Sequence, residues 1–223
     1  MNGTARQWFR ICVAALVIAM GSGCGTLRPK AAQPPALHSL DAVPVRSAVG
    51  NAAIPPAAAA ATLLVNAPHA AAGFDSRRII YVRSPHKFEY FALNEWVDTP
   101  ARMLAPLIVS AVEQGGAFHA VVLAPSVASG DLRLDTEIIR LQQNFDVRPS
   151  TVRFTLRAYV MDDSTRRVLV SREFDVTVDS ASENPYGGVV AANRAVQGVL
   201  EQLARLCVEA LANWKPLKTE VLE

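Results

Sequence analysis

The chain has 223 residues, of which 51% are hydrophobic and 19% are charged, and its formal net charge is +2. The near balance of 22 basic and 20 acidic residues excludes an extended basic surface, so we expect no nucleic-acid partner. The apolar content excludes a wholly disordered chain, and no stretch reaches the roughly 18 consecutive apolar residues of a membrane-spanning helix. The length predicts one globular domain with additional terminal segments.

The N-terminus has the pattern of an export signal. Two arginines precede an apolar run over residues 11–20, and small residues then lead into Cys24. Small residues directly before a cysteine resemble the lipobox of bacterial lipoproteins, in which the cysteine is acylated and becomes the first mature residue. Gly21 stands where such boxes usually carry Leu, so an ordinary signal cut just before the cysteine is the alternative. We expect residues 1–23 to be removed and Cys24 to carry a covalent lipid, with no other cofactor.

Residues 24–61 are rich in alanine and proline and carry few charges. No helical or strand period persists there, so the composition predicts a linker that holds a domain away from a membrane. The alternative is a disordered tail without a role, which would have the same composition. The folded domain is predicted to occupy residues 62–215, and residues 216–223 are predicted to be a tail.

The predicted domain alternates short apolar runs with two amphipathic segments. Asp98 or Thr99 can cap a helix that begins at Pro100 and ends at Gly115, and a second helix is predicted over residues 186–214. Five to seven strands are predicted, with candidates at residues 63–65, 79–82, 88–91, 118–123, 132–141, 151–161 and 168–178.

The order of these elements predicts an α+β fold. Two helices and several hairpin-connected strands favour a two-layer sandwich, in which a mostly antiparallel sheet carries both helices on one face. The last three strands alternate apolar with polar residues, so the other face of the sheet is predicted to be wet or to meet a polar partner.

Four segments of the predicted domain resemble a known family. They are residues 70–76, the Ile80-Tyr81-Val82 strand, residues 89–92 and residues 94–104. In this order they are similar to the ABC-type transport auxiliary lipoproteins, and the resemblance runs from about residue 62 to residue 211. The lipobox and the Pro-Ala linker agree with it.

The resemblance implies a non-enzymatic subunit of the bacterial cell envelope. Such a subunit works with an inner-membrane ABC permease and ATPase and with an MCE-domain protein, in a system that moves lipid between the two membranes. It would be lipid-anchored at the periplasmic face of the outer membrane and dock the conduit there, in some cases as a homo-oligomeric ring. A structural envelope lipoprotein or an assembly factor unrelated to a transporter is the alternative.

The sequence contains no pattern typical of a catalytic or metal site. Its histidines are scattered, and Cys-x-x-Cys and Gly-x-Ser-x-Gly patterns are absent, so we predict neither an enzyme nor a metal ion. Tyr90 and Trp96 are candidates for an apolar partner-binding surface, or they cap the sheet. Arg153 and Arg157 share one strand face and either bind a partner or form a solvated surface. Cys207 lies on an apolar helical stripe, which predicts a buried, unreactive thiol.

Overall fold

A computed structural model describes residues 33–41 and 61–215, and the described residues from Pro35 onward belong to one compact unit. The helices are α1 (Pro100–Gln114) and α2 (Pro185–Asn213), and the strands are β1 (Ala36–His38), β2 (Thr62–Val65), β3 (His69–Ala70), β4 (Arg78–Val82), β5 (Phe88–Trp96), β6 (Ala120–Leu123), β7 (Leu132–Asn144), β8 (Thr151–Asp162) and β9 (Val168–Asp179). The predicted signal, the lipidated Cys24 and the predicted tail after residue 215 lie outside the described residues.

Helix α1 begins and ends where its sequence predicts. Pro100 occupies the first turn, where its missing amide hydrogen costs no hydrogen bond, and Gly115 is the C-cap residue. Thr99 has the extended backbone of an N-cap residue, but its side chain makes no capping hydrogen bond. The apolar face of the helix is buried, with Leu104 and Ile108 fully enclosed.

Helix α2 is the longest of the described elements and covers one face of the sheet. The Asn184 side chain caps it by accepting a hydrogen bond from the Gly187 amide at 2.8 Å. The helix packs against β8, β9 and α1, and its buried side includes Leu203 and Leu206. Because both helices contribute to one hydrophobic core with the inward residues of β8, the predicted two-layer packing is confirmed in part.

The sheet is built around β7. One edge of β7 pairs along its length with β8, which pairs in turn with β9, and both pairings are antiparallel. The other edge of β7 is shared in parallel by three short strands, namely β2 at its start, β3 in the middle and β4 at its end. Beyond these lie β6, which pairs with β2, and β5, which pairs with β4 and with β1.

The α+β class and the two helices are confirmed, but the described sheet differs from the prediction in two respects. It has nine strands instead of five to seven, and it is mixed, being mostly antiparallel with several parallel pairs. The parallel pairs were not predicted, because the sequence period of one strand does not show whether its neighbour runs parallel or antiparallel to it. Strand β5 also runs on to Trp96, past the end predicted for it.

The linker prediction for residues 24–61 is wrong at residues 36–41. Strand β1 pairs in parallel with β5, matching Ala36 with Asn94 and His38 with Trp96. Leu40 is buried in the core. The prediction missed this strand because three residues in an alanine- and proline-rich segment are too few to show a period.

Candidate partner-binding site

The outer face of the sheet, opposite the helices, carries the two arginines singled out by the sequence. Arg153 Nε donates hydrogen bonds to both carboxylate oxygens of Asp175, at 2.8 and 3.1 Å, and Thr155 Oγ1 donates to the same carboxylate at 3.1 Å. The hydrogen bond from Arg153 outweighs burial and holds the pKa of Asp175 below its ordinary value. Arg153 is therefore held in a fixed orientation on the sheet.

Arg157 lies on the same face and is paired on both sides. In the strand register it is directly opposite Glu137 on β7 and Glu173 on β9. Its guanidinium donates to Glu173 at 2.9 Å and to Glu137 at 3.5 Å. All three side chains remain more than a third exposed, so water screens these ion pairs and they contribute little to stability. The structure thus makes Arg157 part of a solvated charge ladder.

Arg153 also lines a groove of about 520 Å³ on the outer face, between β5 and β8. We call it the outer groove and define it by Phe88, His86, Arg140 and Arg153. Phe88 is 48% exposed and gives one wall an apolar surface. The other wall is charged, with Arg140, Asp146 and the Arg153–Asp175 pair. The arrangement can hold a partner segment that combines an apolar side chain with a polar or charged group.

Tyr90 and Trp96 do not form one surface. Tyr90 is 39% exposed, two residues from Phe88 on β5, and the Arg78 guanidinium lies 4.9 Å from the centroid of its ring. Trp96 is only 3% exposed and belongs to the core. Tyr90 is consequently available to a partner at the surface, whereas the Trp96 side chain serves packing.

Sequence reasoning missed a second groove, at the edge of the sheet. It has a volume of about 390 Å³ and lies between β1 and the first turns of α2, lined by Leu37, Tyr186 and Asn193 among others. We call it the β1 groove. Asn193 holds β1 in place, since its Nδ2 donates to the Ser39 carbonyl at 3.2 Å and its Oδ1 accepts from the Asp41 amide at 2.8 Å.

Among the described residues, the buried groups that can titrate serve structure. Burial raises the pKa of the Cys207 thiol to about 12, so this cysteine stays protonated, as the sequence predicts. Burial alone would raise the pKa of Asp162, but hydrogen bonds from Ser164, Trp214 and Thr165 outweigh it and hold that pKa well below its ordinary value. Trp214 Nε1 donates at 2.8 Å and thereby fixes the end of α2 to the turn between β8 and β9.

Residues 33–41 and 61–215 carry neither a cluster of metal ligands nor a membrane-spanning helix. No group of three or more His, Cys, Asp or Glu side chains is arranged to hold a metal ion. No helix in the same ranges is long and apolar enough to cross a membrane.

The fold and its surfaces define an α+β domain with two grooves suited to contact with other molecules. A family model described as "ABC-type transport auxiliary lipoprotein component" matches residues 46–204. The chain belongs to this family, which confirms the resemblance seen in the sequence.

Solved structures share the fold at low sequence identity. A DUF330 protein from Xanthomonas campestris is 23% identical with a TM-score of 0.68, and the match covers 78% of this chain and 95% of that one. An uncharacterized protein is 12% identical with a TM-score of 0.61, and the match covers 78% of this chain and 99% of that one. At these identities the likeness establishes the fold alone. No curated protein matches the chain.

Proposed function

We propose that this protein is the lipid-anchored, non-enzymatic auxiliary subunit of an ABC transport system that moves lipid between the two membranes of a bacterium. Its partners are an MCE-domain protein and an inner-membrane permease and ATPase, and it docks the conduit at the periplasmic face of the outer membrane. The observation that carries the proposal is the family match over residues 46–204.

The anchor is the covalent lipid on Cys24. Small residues precede this cysteine as in a lipobox, and the family is one of lipoproteins. We expect Cys24→Ala to release the protein into the soluble periplasmic fraction, while the Cys207→Ala variant stays with the membrane because that buried thiol is not acylated. Retention of Cys24→Ala in the membrane pellet after salt and carbonate washing would contradict the anchor.

The outer groove is the surface that we assign to the transport partner. It combines an exposed aromatic ring at Phe88 with the charge of Arg140 and Arg153, and aromatic and arginine side chains are the types most enriched where proteins bind each other. Tyr90 extends the same surface along β5.

In-cell photo-crosslinking tests the assignment. A crosslinkable residue at Phe88 or Arg140 should capture the MCE-domain subunit, and one at Val127, fully exposed in the β6–β7 loop, should not. Equal capture from all three positions would contradict this choice of surface. If the crosslinked material contains only outer-membrane or cell-wall components, the protein is a structural envelope lipoprotein.

A homo-oligomeric ring forms part of the proposal. Strand β9 pairs only with β8 among the described strands, so its second edge offers backbone donors and acceptors to a neighbouring copy. The mass of the purified full-length protein in detergent tests this point, because a monomeric mass rules out the ring.

A further inference from the structure

Strand β1 shortens the tether between the proposed anchor and the folded domain. Ala36 lies twelve positions after Cys24, whereas Thr62, where the sequence alone predicts the domain to begin, lies 38 positions after it. Twelve residues span at most about 43 Å even when fully extended, compared with about 137 Å for 38 residues. The point at which the tether joins the fold therefore stays within about 43 Å of the membrane that holds the lipid, and can touch its surface.

This junction is built into the domain. All three residues of β1 pair with β5, and the Val97 amide donates to the His38 carbonyl at 2.7 Å just beyond the last pair. Leu40 is 6% exposed, and Asn193 of α2 holds the backbone on either side of it. A pull on the tether is thus transmitted to β5 and α2.

Helix α2 separates this junction from the opposite end of the domain. Its first turns line the β1 groove, and its last residue is followed by Trp214, which is bonded to Asp162 beside the β8–β9 turn. The helix has 29 residues, which corresponds to about 43 Å at 1.5 Å per residue. One end of the domain consequently meets the tether, and the other end lies a full helix length away.

The tethered end carries a patch of exposed apolar side chains. Leu37 of β1 is 54% exposed and Tyr186 of α2 is 66% exposed, and both line the β1 groove. Leu93 and Val97, on either side of the β5 residues paired with β1, are 48% and 50% exposed. We call these four residues the β1 patch. Tyrosine with aliphatic residues suits the boundary between headgroups and acyl chains, because one part of the side chain is apolar and the other is polar.

We propose that the β1 patch rests on the surface of the lipid bilayer to which the chain is anchored. Charge is balanced at this end of the domain, since the β1 groove contains Asp41 and Arg194, and Glu95, opposite Leu37, is paired with Arg77. The exposed apolar side chains of the β1 patch therefore carry the contact, without a need for charged headgroups. The domain then stands with α2 leading away from the bilayer and the β8–β9 turn at its far end. This inference rests on the proposed lipidation of Cys24.

Depth-dependent fluorescence quenching tests the proposal on the full-length lipidated protein in phosphatidylcholine vesicles. An environment-sensitive label is attached at Leu37→Cys and, as a matched control, at Val168→Cys, which is 50% exposed near the far end of the domain. The native Cys207 is buried and does not compete for the label. Contact with the bilayer should blue-shift the label at position 37, and lipids with doxyl groups near the headgroup should quench it, whereas the label at position 168 should show neither change.

Two outcomes overturn the proposal. Equal quenching at both positions, or neither quenching nor a blue shift at position 37, would mean that the domain has no preferred contact with the bilayer. A blue shift at position 37 without quenching would mean that a protein, a second copy of this chain included, covers the patch. Flotation of the labelled protein with the vesicles is measured in the same samples and reports the anchor separately. Protein that floats but is not quenched refutes this inference alone, and protein that does not float refutes the anchor.

Discussion

Two glycines of α2 should respond in opposite directions to the same substitution. Gly188, in the first turns, lies against the buried Gln143 side chain of β7, and a Cβ there would overlap the Gln143 Oε1 and Cδ atoms. Gln143 has little freedom to move, because its Nε2 donates to Ser150 Oγ at 3.1 Å and lies 3.4 Å from Ser180 Oγ. Gly198 is different, since the nearest atom to an added Cβ is a Val176 methyl carbon at 3.9 Å, an ordinary contact.

The expected magnitudes follow from these distances. Gly198→Ala should stabilise the protein by about 0.5–1 kcal/mol, because alanine loses less backbone entropy in a helix than glycine does. Gly188→Ala should gain the same stabilisation of the helix backbone. Its methyl group must also displace the Gln143 side chain, and overpacking of this kind costs about 1–3 kcal/mol. We expect a net destabilisation of about 1–2 kcal/mol, which lowers the melting temperature by roughly 2–8 °C in a domain of this size.

The measurement is the thermal and urea unfolding of both variants and of the unmodified protein. In a Gln143→Ala background the added methyl group has space, so Gly188→Ala should cost less stability there than it does in the unmodified protein. If Gly188→Ala and Gly198→Ala shift the melting temperature in the same direction, close approach to Gln143 does not explain the glycine at position 188.

Three further predictions concern single side chains. Asp162→Asn should cost about 2 kcal/mol near pH 7, because hydrogen bonds to a buried charged group contribute about 1.5–3 kcal/mol each and the amide retains one acceptor. Since the folded state lowers the pKa of Asp162, this stabilisation is complete above the unfolded value of about 3.9 and is lost as the pH falls, so unfolding curves of the two proteins should converge in acid. Cys207 should resist maleimide at pH 7–8 until the protein is denatured, and a folded, labelled Cys207 seen by mass spectrometry would contradict its burial. Asn193→Ala should speed hydrogen exchange at residues 36–41, whereas Gln197→Ala, one turn later on α2, should leave it unchanged.

The sequence predicted the elements whose signal is local. Pro100 and Gly115 mark the two ends of α1, and the alternation over residues 151–161 identifies both the inner and the outer face of β8. Chemical character along the chain suffices there, because a helix or a long half-buried strand repeats its pattern several times. The same local signal distinguishes the exposed Tyr90 poorly from the buried Trp96, because both are aromatic residues of one strand.

The parts that were missed depend on pairing between distant segments. The outer face of the sheet was predicted to be wet or to meet a polar partner, yet Thr155 on that face of β8 is only 2% exposed, and its hydroxyl group donates to Asp175 of β9. Arg157 was a candidate for contact with a partner, and its two acidic neighbours come from strands 20 and 16 residues away. Such neighbours are set by strand register, which one strand's sequence does not contain.

The position of β1 changes what a tether can do in this protein. A linker that joins the fold only at residue 62 lets a domain turn freely with respect to its anchor. If Cys24 is lipidated as we propose, a tether that ends in a strand paired with β5 and held by Asn193 keeps one end of α2 near the bilayer. The outer groove lies on the far side of the sheet from α2, so on this proposal the same contact sets its direction. We therefore expect disruption of β1 to weaken partner capture from Phe88, even though the two sites share no side chain.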